Sequence, residues 1–180
     1  MVDRNYLIDM DTSLSWHEVE DKIRKEAQWL NNSIKTFDEK DRTYGSYCKQ
    51  CVLRNLAEMI VFGEVQVMEI NRSPDLKSFW LNFKNKSKDF KKIDHGQKWH
   101  IETITTIENH FSHQGFSIIR EPTIYLGRAD LGVYNEGAQD LFVEVGTTSL
   151  YKLYINLRSM RNCTYLIVPS DSRLIEFRKT

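Results

Sequence analysis

Apolar residues recur along this chain with two different periods. From Trp16 to Leu30 the spacing is helical: Trp16, Val19, Ile23, Ala27 and Leu30 fall on one stripe. Ser13 or Ser15 can cap that helix, and Glu18, three positions after Ser15, completes a capping-box pattern. A second helix is predicted from about Tyr44 to Phe62, ending near Gly63, with Val52, Leu56, Met59 and Ile60 inward. Ser73-Pro74 opens a third, with proline in its first turn and Leu76, Phe79, Trp80 and Phe83 as its stripe. Asp94-His95-Gly96 breaks the rhythm. The chain therefore divides into an N-terminal helical region, 1–94, and a second unit, 95–180.

The second unit opens with a helix over about Lys98–His113, closed by Gly115. Runs of β-branched and aromatic residues follow. Phe116–Arg120 is a first strand, continuing through Thr123–Leu126, and Ala129–Tyr134 is a second. Asn135-Glu136-Gly137 is a turn, and Leu141–Val145 returns as the third strand of a hairpin. Thr147-Thr148-Ser149 caps a helix to about Arg161, with Leu150, Leu153, Tyr154 and Leu157 on one face. Thr164–Val168 is a fourth strand, closed by Pro169, and Leu174–Phe177 a last one. This order predicts an α/β (α+β) fold: a mixed sheet with helices on its faces.

Composition narrows the function. The 180 residues are 41% hydrophobic and 28% charged, enough apolar material for a real core. The formal net charge is 0, which argues against a basic protein that coats nucleic acid. The acidic N-terminus (Asp3, Asp9, Asp11) lacks the apolar run of a signal peptide, and no run approaches the roughly 18 residues of a membrane span. Three cysteines suggest no disulfide framework. These readings point to an intracellular, cytoplasmic protein without a membrane partner.

The charge is unevenly spread. Residues 1–71 carry net −4, residues 72–94 net +4, and residues 95–180 net 0. In the basic segment Lys84, Lys86, Lys88, Lys91 and Lys92 interleave with Phe79, Trp80, Phe83 and Phe90. Lysines neutralise phosphates and aromatic faces stack on bases. The alternative is a solvated lysine face over a few core aromatics.

Two carboxylates interrupt apolar strands. Asp130 lies in Arg128-Ala129-Asp130-Leu131-Gly132-Val133, and Glu144 in Leu141-Phe142-Val143-Glu144-Val145-Gly146. A buried carboxylate is costly unless it is paired, hydrogen-bonded or metal-bound. Two brought together by a hairpin repel unless a cation sits between them, and hard ions such as Mg²⁺ and Mn²⁺ favour such oxygens. The competing reading pairs one acid with Arg120, Arg128 or Lys152 as a structural ion pair.

Over about residues 96–180 the α-β-β-β-α-β order, with Asp130 in the second strand and Glu144 fourteen positions later in the third, resembles the PD-(D/E)XK nuclease superfamily. Ala129 stands where the family has proline, and Gly146 where it has its catalytic lysine. The stretch Phe142-Val143-Glu144-Val145-Gly146-Thr147-Thr148 is similar to the variant motif of influenza-type cap-snatching endonucleases. In such variants the lysine moves into the following helix, and a histidine on the first helix binds metal.

The first helix carries a matching histidine. On a wheel with 100° per residue and His100 at 0°, Ile104 falls at about 40°, Ile107 at about 340° and Phe111 at about 20°. His100 is thus on the inward stripe, as a core histidine or as a neutral imidazole ligand. Glu108, at about 80° on the flank, is a second candidate. Lys152, early in the helix after Glu144, is the candidate replacement lysine, although it points away from the apolar stripe; its long stem can still reach over. Arg158 and Arg161 lie further along, and a solvated helix face is the alternative for all three. Cys48-Lys49-Gln50-Cys51 has too few partners for zinc and is expected to be two buried thiols.

The resemblance implies a Mg²⁺- or Mn²⁺-dependent endonuclease, DNA being favoured over RNA. Asp130, Glu144, His100 and the Val145 carbonyl would hold metal, Lys152 would assist, and Arg128 and the Lys84–Lys92 segment would bind nucleic acid. A homodimer would serve an enzyme that cuts both strands. Loss of the usual lysine supports a different expectation, an inactive module that binds nucleic acid or a protein.

Overall fold

The computed structural model describes residues 14–34, 48–70, 97–169 and 174–179. Helix α1 (Trp16–Ser33) begins at Ser15, which forms the predicted capping box with Glu18. Helix α2 (Lys49–Val61) starts from Cys48, and Gly63, at φ +73°, turns the chain into strand β1 (Val65–Ile70). Helix α3 (Gln97–His113) leads to β2 (Ser117–Arg120), β3 (Leu131–Tyr134) and β4 (Asp140–Val145). Ser149 caps α4 (Leu150–Ser159), which is followed by β5 (Cys163–Val168) and β6 (Leu174–Lys179).

The six strands form one sheet in the order β1-β6-β5-β4-β3-β2. β4 and β5 are parallel, joined across α4, and the other neighbours are antiparallel. A parallel pair needs such a crossover, whereas β3 and β4 need only the turn that contains Gly137. The result is the expected mixed α/β sheet with helices on both faces.

The faces differ. Alternate positions of the central strands (Phe142, Tyr165, Ile167, Ile175, Phe177) pack with α1, α2 and α4 in one large apolar cluster. The other face (Leu131, Val133, Val143, Val145, Val168, Leu174) packs on Ile104 and Ile107 of α3 in a smaller one. No helix among the described residues is long and apolar enough to cross a membrane.

Several expectations need correction. Strand β1 was not expected in a helical first half, yet it pairs with β6 along Val65↔Lys179 to Ile70↔Leu174. Its signal was short: Val65 and Val67 are buried, beside half-buried Gln66, Met68 and Glu69. Thr123–Leu126 does not extend β2; it folds back, with Thr123 bridging Arg128. Asp130 immediately precedes β3 rather than lying within it. Trp16 is exposed, because burial on α1 begins further along, at Ile23 and Leu30. Cys48 and Cys51 are also exposed, since they occupy the first turn of α2 and its buried stripe starts at Val52. The third helix, the lysines Lys84 to Lys92 and the Asp94-His95-Gly96 break lie outside the described residues.

Candidate functional site

Asp130 is held by its own backbone before its side chain acts. Its N–H donates to the Val143 carbonyl (3.0 Å), and its carbonyl accepts from the Glu121 N–H (3.0 Å). The β3–β4 register runs from Leu131↔Val143 to Val133↔Leu141. Continued by two more pairs, it would set Asp130 against Glu144 and then residue 129 against Val145, but β3 has already left the ladder. The Val145 N–H donates instead to Asp130 Oδ2, at 2.7 Å. The carboxylate thus completes the ladder at the point where the backbone stops supplying acceptors.

The same oxygen lies 3.2 Å from His100 Nε2. His100 reaches it from the first turn of α3, while Ile104 and Ile107 of the same helix are buried against the sheet. The inward placement read from the wheel is therefore the observed one. Nε2 either carries a proton and donates to Oδ2, or both atoms are acceptors and need a cation between them.

Glu144 belongs to the other face. Its neighbours Val143 and Val145 point at α3, so strand alternation turns Glu144 toward α4. There Lys152 Nζ donates to Glu144 Oε1 and to the Arg128 carbonyl. The Glu144 carboxyl is raised to about 7: burial raises it most, Lys152 pulls it part of the way back, and Asp130 adds to the rise. Charge on Glu144 is thus opposed by desolvation first and by the second acid last.

The backbone of Gly146 disfavours a lysine directly after Val145. Its φ is +91°, a region that side chains other than glycine's adopt only under strain. A lysine cannot stand there without distorting the exit from β4. The chain instead turns through Thr147 and Thr148 into the Ser149 cap, and Lys152 follows one turn later. His100, Arg128, Asp130, Glu144, Val145 and Lys152, together with Thr147 to Ser149, line one cavity of about 400 Å³.

Glu108 and Arg158 lie outside this lining, and Arg128 and Ser149 have partners of their own at its edge. Glu108 pairs with Arg120, including a 3.0 Å bond from Nε, and ties α3 to β2 rather than facing the cavity. Arg158 donates to the Tyr154 hydroxyl at 2.5 Å and stacks over that ring. The Arg128 guanidinium pairs with Glu121 at 3.1 Å, and its carbonyl, which the sequence did not single out, is what meets Lys152. Thr148 and Ser149 are buried, and the Ser149 hydroxyl accepts from the Lys152 N–H (3.3 Å), so capping is its observed use. Also missed was Asn156, one turn beyond Lys152; its signal was an amide set among Leu153, Tyr154 and Leu157.

The residues fit a hard divalent ion by donor type: two carboxylates and one imidazole facing one cavity. They are not drawn into a closed shell. Among the described residues no group of three or more His, Cys, Asp or Glu side chains is gathered closely enough to hold an ion. His100 and Asp130 form a two-donor pair, and Glu144 is engaged by Lys152. Compared with known proteins, the chain matches no family model, no curated protein and no solved structure.

Proposed function

We propose that this chain is a metal-dependent nuclease of the PD-(D/E)XK type, hydrolysing phosphodiester bonds of nucleic acid. One observation carries the reading. Asp130, Glu144, His100 and Lys152 come from four separate places in the chain, and all line the same cavity. The order α3-β2-β3-β4-α4-β5, with the parallel β4–β5 pair, supports it as the order that the resemblance implies.

His100, Asp130 and Glu144 would hold Mg²⁺ or Mn²⁺. When bound, such an ion supplies Lewis acidity toward water and phosphate oxygens. Lys152 places a fixed cation at the cavity wall, where it offsets negative charge on a phosphate. The Val145 N–H and the Asp130 backbone bonds keep the Asp130 carboxylate oriented, so little reorganisation accompanies reaction. In the overall reaction, water adds to phosphorus, the bond to the leaving oxygen breaks, and that oxygen gains a proton.

A second reading has its own observation. Lys152 already neutralises Glu144 within the protein, which is how an inactive module would close such a site. Mn²⁺ titration by calorimetry on wild type and Glu144→Ala, beside cleavage assays on single- and double-stranded DNA and RNA, separates the two. The nuclease reading expects binding that the substitution removes, together with metal-dependent cleavage that Asp130→Ala and Glu144→Ala abolish. Full activity in both variants would overturn it, and wild type that binds no Mn²⁺ would leave the inactive module.

A further inference from the structure

Residues 121–130 join β2 to β3 and carry both Arg128 and Asp130. The loop folds back on itself: Ile124 N–H donates to the Gly127 carbonyl (3.1 Å), and Ala129 N–H to that of Pro122 (3.3 Å). Gly127 has φ +79°, and Glu121, a non-glycine, sits at φ +49°. Such a backbone persists only where its surroundings over-determine it. Ile124 and Ala129 are buried in the same apolar cluster as Leu153 and Leu157 of α4. That packing attaches the loop, but apolar contact is not directional and does not fix register.

Asn156 supplies direction. Its Oδ1 accepts from the Leu126 N–H at 2.7 Å, and its Nδ2 donates to the Leu126 carbonyl at 3.2 Å. One side chain thereby imitates a rung of sheet for a loop residue that has no strand beside it. Asn156 is 0% exposed and stands among leucines. A leucine there would serve the core as well, and a buried amide is tolerated only when its polar atoms are bonded. What the two bonds to Leu126 add is a grip on the loop. Lys152, four positions earlier on α4, grips the same loop at the Arg128 carbonyl.

We infer that Asn156 is a positioning residue that latches loop 121–130 to α4 and so sets where Asp130 stands relative to Glu144 and Lys152. The latch stands on geometry alone; its importance for metal affinity rests on the nuclease reading. The Val145 N–H, bonded to Asp130 Oδ2, reports the position of that carboxylate without any metal.

Amide hydrogen exchange on the full chain tests this with Asn156→Leu, which fills the space without the bonds, and Asn156→Asp, which keeps only the acceptor. Asp130→Ala calibrates the Val145 signal. In Asn156→Leu the Leu126 and Val145 amides should exchange at least about tenfold faster, while Tyr165 and Ile167 amides of β5 keep their protection. Asn156→Asp should fall between wild type and Asn156→Leu at Leu126. Mn²⁺ affinity, read by calorimetry, should fall roughly tenfold or more in Asn156→Leu, as for residues that orient ligands. Unchanged exchange at Leu126 would overturn the latch. Faster exchange at Leu126 with Val145 unchanged would overturn its hold on the site. Equal acceleration of loop and β5 amides would make Asn156 a core residue only. If wild type binds no Mn²⁺, the metal reading fails while the exchange results still decide the latch.

Discussion

The two halves of the candidate site use similar chemistry in opposite surroundings. On the α3 face His100 and Asp130 are partly open, their side chains 36% and 23% exposed. On the α4 face Lys152 and Glu144 are 13% and 10% exposed. An exposed pair is screened and adds little to stability, whereas a buried pair becomes costly once either partner is lost. The open half is therefore free to exchange partners with a ligand. The closed half fixes charge and ties α4 to the sheet. Lys152 offsets only part of the desolvation of Glu144, whose carboxyl still stands raised to about 7.

Breaking the closed half should have the largest effect. Lys152→Met leaves Glu144 buried without its cation and should cost about 3 kcal/mol in urea unfolding, whereas His100→Ala should cost no more than about 1 kcal/mol. Equal costs would remove the distinction between the halves.

The pH dependence of stability sharpens the same contrast. The Glu144 carboxyl has an ordinary value of 4.5 and stands at about 7 in the fold. Between those values the folded protein binds more proton at this group than the unfolded chain. Its contribution to stability is therefore complete below about 4.5 and is lost as pH rises through about 7. Thermal unfolding of the metal-free protein from pH 4 to pH 8 should show a decline that Glu144→Gln lacks. Parallel curves for the two proteins would contradict the assigned burial.

Gly146→Ala tests why the closed half draws its lysine from a helix. At φ +91° the side chain should cost about 1–2 kcal/mol. Gly146→Lys should carry the same strain and should not restore what Lys152→Met removes, as denaturation curves of the single and double variants would show. The smallest effect belongs to the rim: Glu108→Ala breaks an exposed pair with Arg120 and should change stability by less than about 1 kcal/mol, leaving Mn²⁺ affinity unchanged in calorimetry.

Much of the framework was legible in the residues. The Ser15–Glu18 box, the stops at Gly63 and Gly115, the β3–β4 hairpin and the stripe of α4 each have a local cause, so short windows of sequence contain them. Strand β1 was not legible because its reason is β6, more than a hundred positions away, and its own alternation is brief. Cys48 and Cys51 were misplaced because residue type favours burial while their place on the first turn of α2 does not. At the site, Asp130 and Glu144 stood out as acids among apolar neighbours, and His100 as an inward position on its helix. The Cβ direction of Lys152 counted against it, yet its long stem carries the charge to Glu144, as the reading of the sequence allowed.

The sequence by itself determined the course of the described helices and the central hairpin, and which ionisable groups had no apolar reason to be where they are. These follow from periodicity, caps and turns, all short-range. Only the tertiary structure decided which acid would be buried against which base. It also turned the Arg128 carbonyl and the Asn156 amide into parts of the site and placed Glu108 outside it. Those outcomes depend on strand register and on which sheet face each helix covers, and register couples residues that no local window contains.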